Sequence, residues 1–396
     1  MSTSTPLIAA WARSAVVPRG GAFKALHAHD IAAPVVQALL QRAGLAAAHV
    51  NAIVVGNALG AGGNPARMLS LHAGLPQTCA AFTVDTQCCA GLDAVSMGIG
   101  LIASGQADVV IAGGVEAWSR SPLRMHRPLH ASDEAVAYER PAFAPTAAQD
   151  PDMLLSAARF AAQQGYTRAQ QEAYALHSHQ RAVANQAHLA AEIVAVVGVT
   201  HDAYPRVIDT ARAQRMPVVA RSDELAAQDA DAFALSALTI SAQADGAAFV
   251  LLVSHAAAKR LNLRAKAKWV ASASVGGAPE LPMVCAESAA RLALLRAGIA
   301  DAGHIKHIEL HDAFAVQGLS FAKGLGFMPA QINLHGGGLV RGHPIGASGA
   351  IALVRLLADL SRGHKLDDYG LVAVAGAGGL GSAAVIKGTP SNTHEY

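Results

Sequence analysis

Short runs of apolar residues in the N-terminal part of the chain alternate with stretches of helical spacing. Pro6–Trp11 and Ala52–Val55 are apolar throughout, which is typical of strands buried on both faces. Between them, Asp30–Ala43 carries apolar residues three or four positions apart and is followed by Gly44, a frequent helix end. The pattern predicts a strand, a helix and a second strand.

The alternation continues for another strand–helix–strand unit. Ala66–Ala73 is predicted to be helical, Ala80–Val84 a strand, the Ala- and Gly-rich run from Cys88 to Gly105 a helix, and Asp108–Gly114 a strand. A β-α-β-α-β series of this kind predicts an α/β fold with a largely parallel sheet covered by helices.

Polarity rises between the first and second parts of the chain. Proline, arginine and glutamine become frequent from Glu116 to about Leu235, where Arg168–Ala187 reads as a helix with a polar face. We interpret residues 119–235 as a domain inserted into the core. Apolar texture returns at Leu238–Ser254, with a strand predicted at Ala247–Val253.

The C-terminal part repeats the plan of the N-terminal part. Its predicted strands and helices are Trp269–Ser274, Ala286–Ala297 (helix), Ile305–Leu310, Ala347–Arg362 (helix), Leu371–Ala375 and Ala383–Lys387. Weak local similarity between the two parts suggests an internal duplication. The predicted units are residues 1–118 plus 236–256 for the first half, and 257–396 for the second.

Composition narrows the classes of function. Hydrophobic residues make up 52% of the 396 positions and charged residues 15%, so much surface is expected to be buried between domains or subunits. A net charge of +2 without a basic block argues against a nucleic-acid partner. No apolar run approaches the roughly 18 residues that a membrane span requires.

Four cysteines form a poor disulfide framework, because Cys88 and Cys89 are adjacent and only Cys79 and Cys285 remain. Residues 1–6 have neither the charged segment nor the apolar run of a signal peptide. A reducing cytoplasmic location is therefore expected.

The adjacent cysteines stand where a predicted strand gives way to a helix. A sulfur in the first helical turn faces unpaired N–H groups and the positive end of the helix dipole, and both favour the thiolate. The sequence thus predicts a nucleophile with a lowered pKa at Cys88. The alternative is a small buried apolar residue.

The richest stretch of candidate chemistry is the glycine-rich segment 336–349. It contains no G-K-[ST] phosphate loop, but it holds His343 next to Pro344 and just before a predicted helix. Glycines on both sides would let a substrate or a second segment approach the imidazole closely. A catalytic histidine is favoured over a structural one. No metal site is predicted, because no histidine or cysteine pair has further ligands at usable spacing.

Five segments together resemble the thiolase family, in family order and at family spacing. They are the nucleophile motif at 84–91 (V-D-T-Q-C-C-A-G), the intact G-H-P-I-G-A-S-G at 342–349, G-N-A-L-G-A-G-G-N-P-A-R at 56–67, G-G-V-E-A-W-S at 113–119, and Ser241 with D-G-A-A at 245–248.

The resemblance implies a thiolase-like fold of two duplicated βαβαβαββ halves, which form a five-layered αβαβα core. It also implies that the inserted loop domain helps to bind coenzyme A and to form homodimers or homotetramers. The implied reaction is ping-pong acyl transfer between coenzyme A thioesters, which act as substrates, with no additional cofactor.

Residue roles follow from the resemblance position by position. Cys88 would carry the acyl group, and His343 would accept its proton and help to stabilise the thioester oxyanion. His311, which begins the H-D-A-F motif, would complete the catalytic set. Backbone N–H groups at Cys88 and in the Gly376–Gly379 turn would bind the other oxyanion. The remaining implied site residues are the oxyanion-loop glycines Gly378 and Gly379, and the coenzyme A or acyl contacts Ser241, Met153 and Met283.

Departures from the family pattern leave the reaction open. Ala375 stands where most thiolases have a second cysteine that handles the α-carbon proton, Ala313 stands where sterol-carrier-type enzymes have a substitute, and Asp85 replaces an asparagine. Losing such a base typically costs about 10²–10⁴-fold in rate. Cys89, about 100° round the helix from Cys88, and Cys285 are weak replacements.

Three functions remain after these departures. The first is a thiolase-type C-acyltransferase acting on coenzyme A thioesters. The second is a thiolase-fold acyltransferase that needs no α-proton base, because its condensation is decarboxylative or its acceptor is not a thioester. The third is a non-catalytic acyl-CoA-binding subunit, which the intact Cys88 and His343 argue against.

Overall fold

The computed structural model describes residues 6–362 and 368–389. The longer strands are β1 (Leu7–Ser14), β2 (Ala52–Gly56), β3 (Ala80–Val84), β4 (Val109–Ala117), β5 (Ala244–Val253), β6 (Ala267–Gly276), β7 (Ile305–His311), β8 (Tyr369–Gly376) and β9 (Leu380–Gly388). The longer helices are α1 (Ala28–Ala43), α2 (Pro65–His72), α3 (Ala90–Ala103), α4 (Met153–Gln164), α5 (Arg168–Ala184), α6 (Cys285–Arg296), α7 (Ala315–Leu325) and α8 (Ser348–Arg362).

Shorter elements lie mostly between β4 and β5. The short helices are Gln186–Ala190, Thr210–Gln214, Ala227–Ala230, His255–Arg260 and Gly338–Arg341. The short strands are Val17–Pro18, Arg124–His126, Val136–Tyr138, Ile193–Val194, Val218–Ala220 and Leu235–Ser236.

The longer strands follow the order β7-β8-β9-β6-β1-β5-β4-β2-β3. Only β2 with β3, β2 with β4, and β7 with β8 are parallel, whereas the strands near the middle pair antiparallel. The sheet is therefore mixed rather than largely parallel. The two halves meet where β1 pairs with β6 over Leu7–Ile8 alone.

The two halves of this sheet and the helices packed on them form five stacked layers. Helices α1 and α2 cover the outer face of the first half, and α6 and α7 cover the outer face of the second. Helices α3 and α8 lie against each other between the two halves, in a core built from Leu92, Val95, Leu353 and Leu357 among others. The predicted α/β architecture with an αβαβα core is confirmed.

The second half departs from the first at its third strand. The first half runs β1-α1-β2-α2-β3-α3-β4-β5, but between α7 and α8 the described chain forms no equivalent of β3. Asn333 has a φ of 53° and Gly336 a φ of 86°, which break an extended ladder. Asn333 still lies beside β7, because its N–H bonds the Ile308 carbonyl and its side chain accepts from the Leu310 N–H.

The segment between β4 and β5 packs on both halves, and its strand Ile193–Val194 pairs with β1. Helix α5 lies against α7, and Tyr174 on α5 donates to the Asp312 carboxylate at 2.8 Å. Its boundaries at 119 and 235 remain a prediction, and residues 1–5, 363–367 and 390–396 of the predicted halves lie outside the described residues.

Most predicted elements lie within a few residues of their observed positions, but α4 and α7 were not predicted. Helix α4 is rich in alanine, and α7 is interrupted by two glycines. Within residues 6–362 and 368–389, no helix combines the length and the apolar character that a membrane crossing needs.

Candidate active site

The N-termini of the two central helices meet in the middle of the molecule. A 3₁₀ turn at Gln87–Cys89 leads into α3, and another at Ile345–Ala347 leads into α8. Glycines allow the contact: a Cβ added at Gly349 would lie 2.8 Å from the Cβ of Leu92 on α3. Two segments that are distant in sequence thereby place their first turns side by side.

The residue before the nucleophile has a strained backbone. Gln87 has a φ of 54°, a conformation that non-glycine residues rarely adopt. The Asp85 carboxylate supports it by accepting hydrogen bonds from the Gln87 backbone N–H and side-chain amide, both at 3.0 Å. This turn presents Cys88 towards the second half. The asparagine usual in the family could accept the same bonds through its side-chain oxygen.

Cys88 and His343 are in direct contact, with 3.1 Å between Sγ and Nε2. Burial raises the pKa of the Cys88 thiol to about 12, and burial lowers the pKa of His343 to about 4, although part of each side chain remains exposed. Both groups are therefore neutral at pH 7.

The lowered pKa predicted for Cys88 is wrong for the free protein. The backbone N–H groups of Ala377 and of Cys88 itself do lower it, but the cost of burying a thiolate is larger, and the charges of Glu116 and Asp85 add to that cost. The thiol proton therefore has to leave as the sulfur attacks, and Nε2 of His343 is placed to accept it.

Neighbouring groups select the tautomer that makes His343 a base. The Ser348 hydroxyl donates to the Pro344 carbonyl at 3.0 Å, which leaves its oxygen as an acceptor 2.9 Å from Nδ1 of His343. Nε2 of His311 lies 2.6 Å from the same Nδ1. With its proton on Nδ1, His343 keeps the lone pair of Nε2 for the thiol.

His311 stacks against His343 with ring centroids 4.5 Å apart. Burial, and then repulsion from His343 when it is protonated and from the Arg341 cation, hold the pKa of His311 well below its usual value. A Cβ at Gly338 would come within 2.3 Å of the His311 ring, so glycine is needed there. The pair is neutral, and Nε2 of His311 is directed at His343.

Within the Gly376–Gly379 turn, whose N–H groups were predicted to bind an oxyanion, one N–H is directed at the nucleophile. The N–H that points at the Cys88 sulfur belongs to Ala377, not to Gly378 or Gly379. Both glycines have left-handed backbones, with φ of 80° and 76°. The Gly379 carbonyl accepts a bond from the Gly277 N–H, and Gly378 packs beside Phe143. The glycines shape the turn that aims the Ala377 N–H.

The three residues predicted to contact coenzyme A or the acyl group lie at two places. Ser241 is half-buried, and its hydroxyl donates to the Gly338 carbonyl at 2.7 Å. Gly338 in turn packs against the ring of His311. Met153 and Met283 belong to one apolar cluster with Phe314. Ala313 and Ile240 border the same cluster, which connects it to the segments carrying His311 and Ser241.

Neither of the other cysteines considered as substitutes joins the Cys88–His343 pair. Cys89 is buried under Cys88, with its Sγ 3.6 Å from the Val374 carbonyl. Cys285 is buried at the start of α6, against Gly277 and Gly381. Cys79 is a buried residue of the outer core beside α2. Ala375 is half-buried at the end of β8, two residues before Ala377.

Glu116 is a buried residue for which the sequence patterns predicted no role. Its carboxylate accepts bonds from the Asn57 side chain and from the N–H groups of Ala58, Leu59 and Gly346. Burial raises its pKa to about 7. It ties the loop after β2 to the turn before α8. The sequence feature that could have pointed to Glu116 was its place in the G-G-V-E-A-W-S motif at 113–119.

In the part of the chain that the structure describes, one cluster has metal-ligand residue types: His188, His335 and Asp359. Two guanidinium groups already bond these atoms, because Arg355 lies 2.8 Å from Asp359 and 3.1 Å from His335, and Arg362 lies 2.5 Å from His188. A metal ion would have to displace both cations. The cluster is better described as an ion-pair network that joins α8 to the inserted segment and to the loop carrying His335.

A cysteine at a helix tip, a neutral imidazole at 3.1 Å and two backbone N–H groups beside the sulfur define a class of enzyme. Enzymes of this class capture an acyl group as a thioester on cysteine. The duplicated αβαβα core supplies the two halves of that site.

Comparison with known proteins agrees with this class. Residues 7–256 match the thiolase N-terminal domain and residues 263–388 the thiolase C-terminal domain. An acetyl-CoA acetyltransferase of Rhizobium meliloti is 34% identical over 98% of this chain and 100% of its own length. A putative acetyl-CoA C-acetyltransferase of Bacillus subtilis is 33% identical over 93% of this chain and 95% of its own.

Solved structures give the same answer. The thiolase Acat5 of Ascaris suum, crystallised with coenzyme A, superposes with a TM-score of 0.87 at 26% identity, over 97% of this chain and 100% of that one. The chain belongs to the thiolase family, and it is a thiolase-type acyltransferase of coenzyme A thioesters.

Proposed function

We propose that the chain takes an acyl group from a coenzyme A thioester onto Cys88 and passes it to a second thioester, with thiolysis as the reverse reaction. The observation that carries this proposal is the 3.1 Å contact between Cys88 and a His343 held in its basic tautomer. The names of the relatives, acetyl-CoA acetyltransferases, support an acetyl group as the acyl unit.

Acylation follows from the contacts around the sulfur. As the Cys88 sulfur forms a bond to the thioester carbonyl carbon, its proton moves to Nε2 of His343. The N–H groups of Ala377 and Cys88 stabilise the oxyanion. When the carbon–sulfur bond to coenzyme A breaks, the proton on Nε2 passes to the departing thiolate. His311 and Ser348 keep Nδ1 of His343 hydrogen-bonded throughout.

The test of this proposal is mass spectrometry after incubation with acetyl-CoA and longer acyl-CoAs. A labile acyl adduct on the peptide containing Cys88, absent in Cys88→Ala, is the expected result. Thiolysis of acetoacetyl-CoA by free coenzyme A then measures the second half-reaction. If no adduct forms with any acyl-CoA, the chain does not perform this transfer.

A second candidate is acyl transfer without abstraction of an α-proton, either decarboxylative or to a non-thioester acceptor. What favours it is the absence of a second thiol in the described site, where Ala375 and Ala313 occupy the two family positions. His311 does not replace the thiol readily, because its Nε2 is directed at His343. Acylation of Cys88 by acetyl-CoA with negligible thiolysis, together with turnover of malonyl-CoA, would support this candidate over the first.

Three further parts of the proposal concern the binding of substrates. Ser241 would contact the pantetheine arm of coenzyme A through its free lone pair, and Met153 and Met283 would line the acyl pocket. Coenzyme A thioesters enter as substrates, and the proposed steps call on no other cofactor. Isothermal titration of Ser241→Ala with coenzyme A, compared with the unchanged protein, tests the first contact.

We also propose a homodimer or homotetramer in the cytoplasm. Edge strand β3 exposes half of Phe82, and Met97 on α3 and Leu71 on α2 are similarly exposed, so an apolar surface borders an unpaired strand edge. The free cysteines are compatible with a reducing compartment. Sedimentation velocity, repeated with Phe82→Lys, tests whether this edge joins two copies.

A further inference from the structure

Trp118 occupies a position where the thiolase motif G-G-x-E-x-M-S has methionine. The difference is chemical as well as steric, because an indole has an N–H donor and a thioether has none. In this structure the Trp118 Nε1–H donates to the backbone carbonyl of His343 at 3.0 Å. A direct hydrogen bond therefore joins the residue after β4 to the backbone of His343, the proposed general base.

The His343 backbone is held on both sides by the first half of the fold. Its N–H donates to the Ala242 carbonyl at 2.7 Å, and its carbonyl accepts from Trp118. Both partners flank strands of the half that also carries Cys88. The distance between the thiol and the imidazole consequently depends on these two bonds across the boundary between the halves.

Trp118 is itself fixed by its neighbours. The N–H and hydroxyl of Ser119 donate to the buried Asp245 carboxylate at 2.9 and 2.5 Å, and the Gly20 N–H donates to the Ser119 hydroxyl. The Arg19 guanidinium lies 5.8 Å from the centre of the Trp118 ring. These contacts fix the backbone that carries the indole, and the Trp118 side chain is partly buried.

We propose that Trp118 is a positioning residue, which holds His343 within hydrogen-bonding distance of Cys88 through the bond from its indole to the His343 carbonyl. For the reaction itself the inference rests on the proposed function. The geometry of the thiol–imidazole pair, however, can be measured without any acyl substrate, through the reaction of Cys88 with iodoacetamide.

The experiment compares Trp118→Phe, which keeps a ring and removes the donor, with Trp118→Met, which restores the family residue. Trp11→Phe on β1 is the matched control, since that ring packs near Lys266. The rate of Cys88 alkylation is measured as a function of pH by peptide mass spectrometry, together with the thermal unfolding midpoint and the rate of acyl-adduct formation from acetyl-CoA.

We expect Trp118→Phe and Trp118→Met to slow alkylation and acylation about 3- to 10-fold, as the loss of one neutral hydrogen bond implies. We also expect the acid limb of the pH profile of alkylation to move to higher pH. His343 acts as a base only when neutral, and looser packing would admit water and return its pKa from about 4 towards the usual value of about 6.5. Trp11→Phe should change neither quantity.

An unchanged rate and acid limb in Trp118→Phe would overturn the inference. So would a slower rate with a lowered unfolding midpoint and an unmoved acid limb, because that combination indicates a general loss of stability. If the unchanged protein forms no acyl adduct while alkylation still responds to Trp118→Phe, the proposed function fails and the positioning role stands.

Discussion

The first turns of the two central helices, α3 and α8, play opposite parts in the same site. Cys88 lies before α3, and its sulfur has three polar neighbours: the backbone N–H groups of Ala377 and of Cys88 itself, and Nε2 of His343. His343, before α8, is held at its N–H, its carbonyl and its Nδ1 by four separate groups. The duplicated fold thus supplies one reactive group that is free to attack and one that is firmly oriented.

The comparison also shows why a helix tip alone does not make an anionic cysteine. The positive end of α3 favours the thiolate, yet burial raises the pKa of Cys88 to about 12. The same low-polarity surroundings lower the pKa of His343 to about 4. In the free protein the pair therefore consists of a neutral thiol and a neutral imidazole, and charge develops only when the thiol attacks a bound thioester.

Removing the sulfur should have the largest effect and separate the two adjacent cysteines. We expect Cys88→Ala to form no acyl adduct with any acyl-CoA, because no other described thiol contacts His343. Cys89→Ala is the matched control and should keep acylation, since its sulfur faces the Val374 carbonyl. An adduct on Cys89 in Cys88→Ala, seen by peptide mass spectrometry, would contradict the assignment.

Separating the two helix tips should have the next largest effect. In Gly349→Ala the new methyl group would lie 2.8 Å from the Leu92 Cβ, so the tips must move apart. We expect acylation to slow by about 10²-fold and the free energy of unfolding to fall by about 1–3 kcal/mol.

Gly100→Ala on α3 is the matched control for that change, because a Cβ there meets open space. It should raise the free energy of unfolding by up to about 1 kcal/mol through helix propensity and leave acylation unchanged. Equal acylation rates in the two variants, measured by stopped-flow release of coenzyme A, would show that close contact of the tips is unnecessary.

Restoring a second thiol should have a smaller effect, of opposite sign. Ala375→Cys places a thiol two residues before the Ala377 N–H, and we expect it to raise the rate of acetoacetyl-CoA thiolysis about 10-fold or more, which is less than the roughly 10²–10⁴-fold that an optimally placed acid or base contributes. The gain should vanish in Ala375→Cys combined with Cys88→Ala. No change in rate would indicate that this position does not face the reacting carbon.

The smallest expected effect is on stability at low pH. Because the folded-state pKa of His343 lies near 4 and its unfolded value near 6.5, the unfolded chain binds more protons between these values. The free energy of unfolding should therefore fall as pH drops from about 6.5 to 4. This slope should be shallower in His343→Gln by up to about 1.4 kcal/mol per pH unit, measured by urea unfolding. Parallel curves would contradict the low pKa.

Local patterns along the chain were enough to predict the α/β class and to single out Cys88 and His343, whereas the five-layered core was implied by the resemblance to the thiolase family. Apolar runs and helical spacing predicted β1 to β4 with α1 to α3, because strands and helices bury their side chains with different periods. Cys88 stood out because it lies where a predicted strand gives way to a helix, and His343 because it precedes a helix within a glycine-rich segment.

Only the tertiary structure decided the chemical state and the detailed roles of these residues. The contact between Cys88 and His343 joins positions 255 residues apart, and their pKa values depend on how completely several segments exclude water from them. The choice of Ala377 over Gly378 and Gly379 as the N–H donor, and the bond from Trp118 to His343, likewise depend on backbone directions that residue types do not specify.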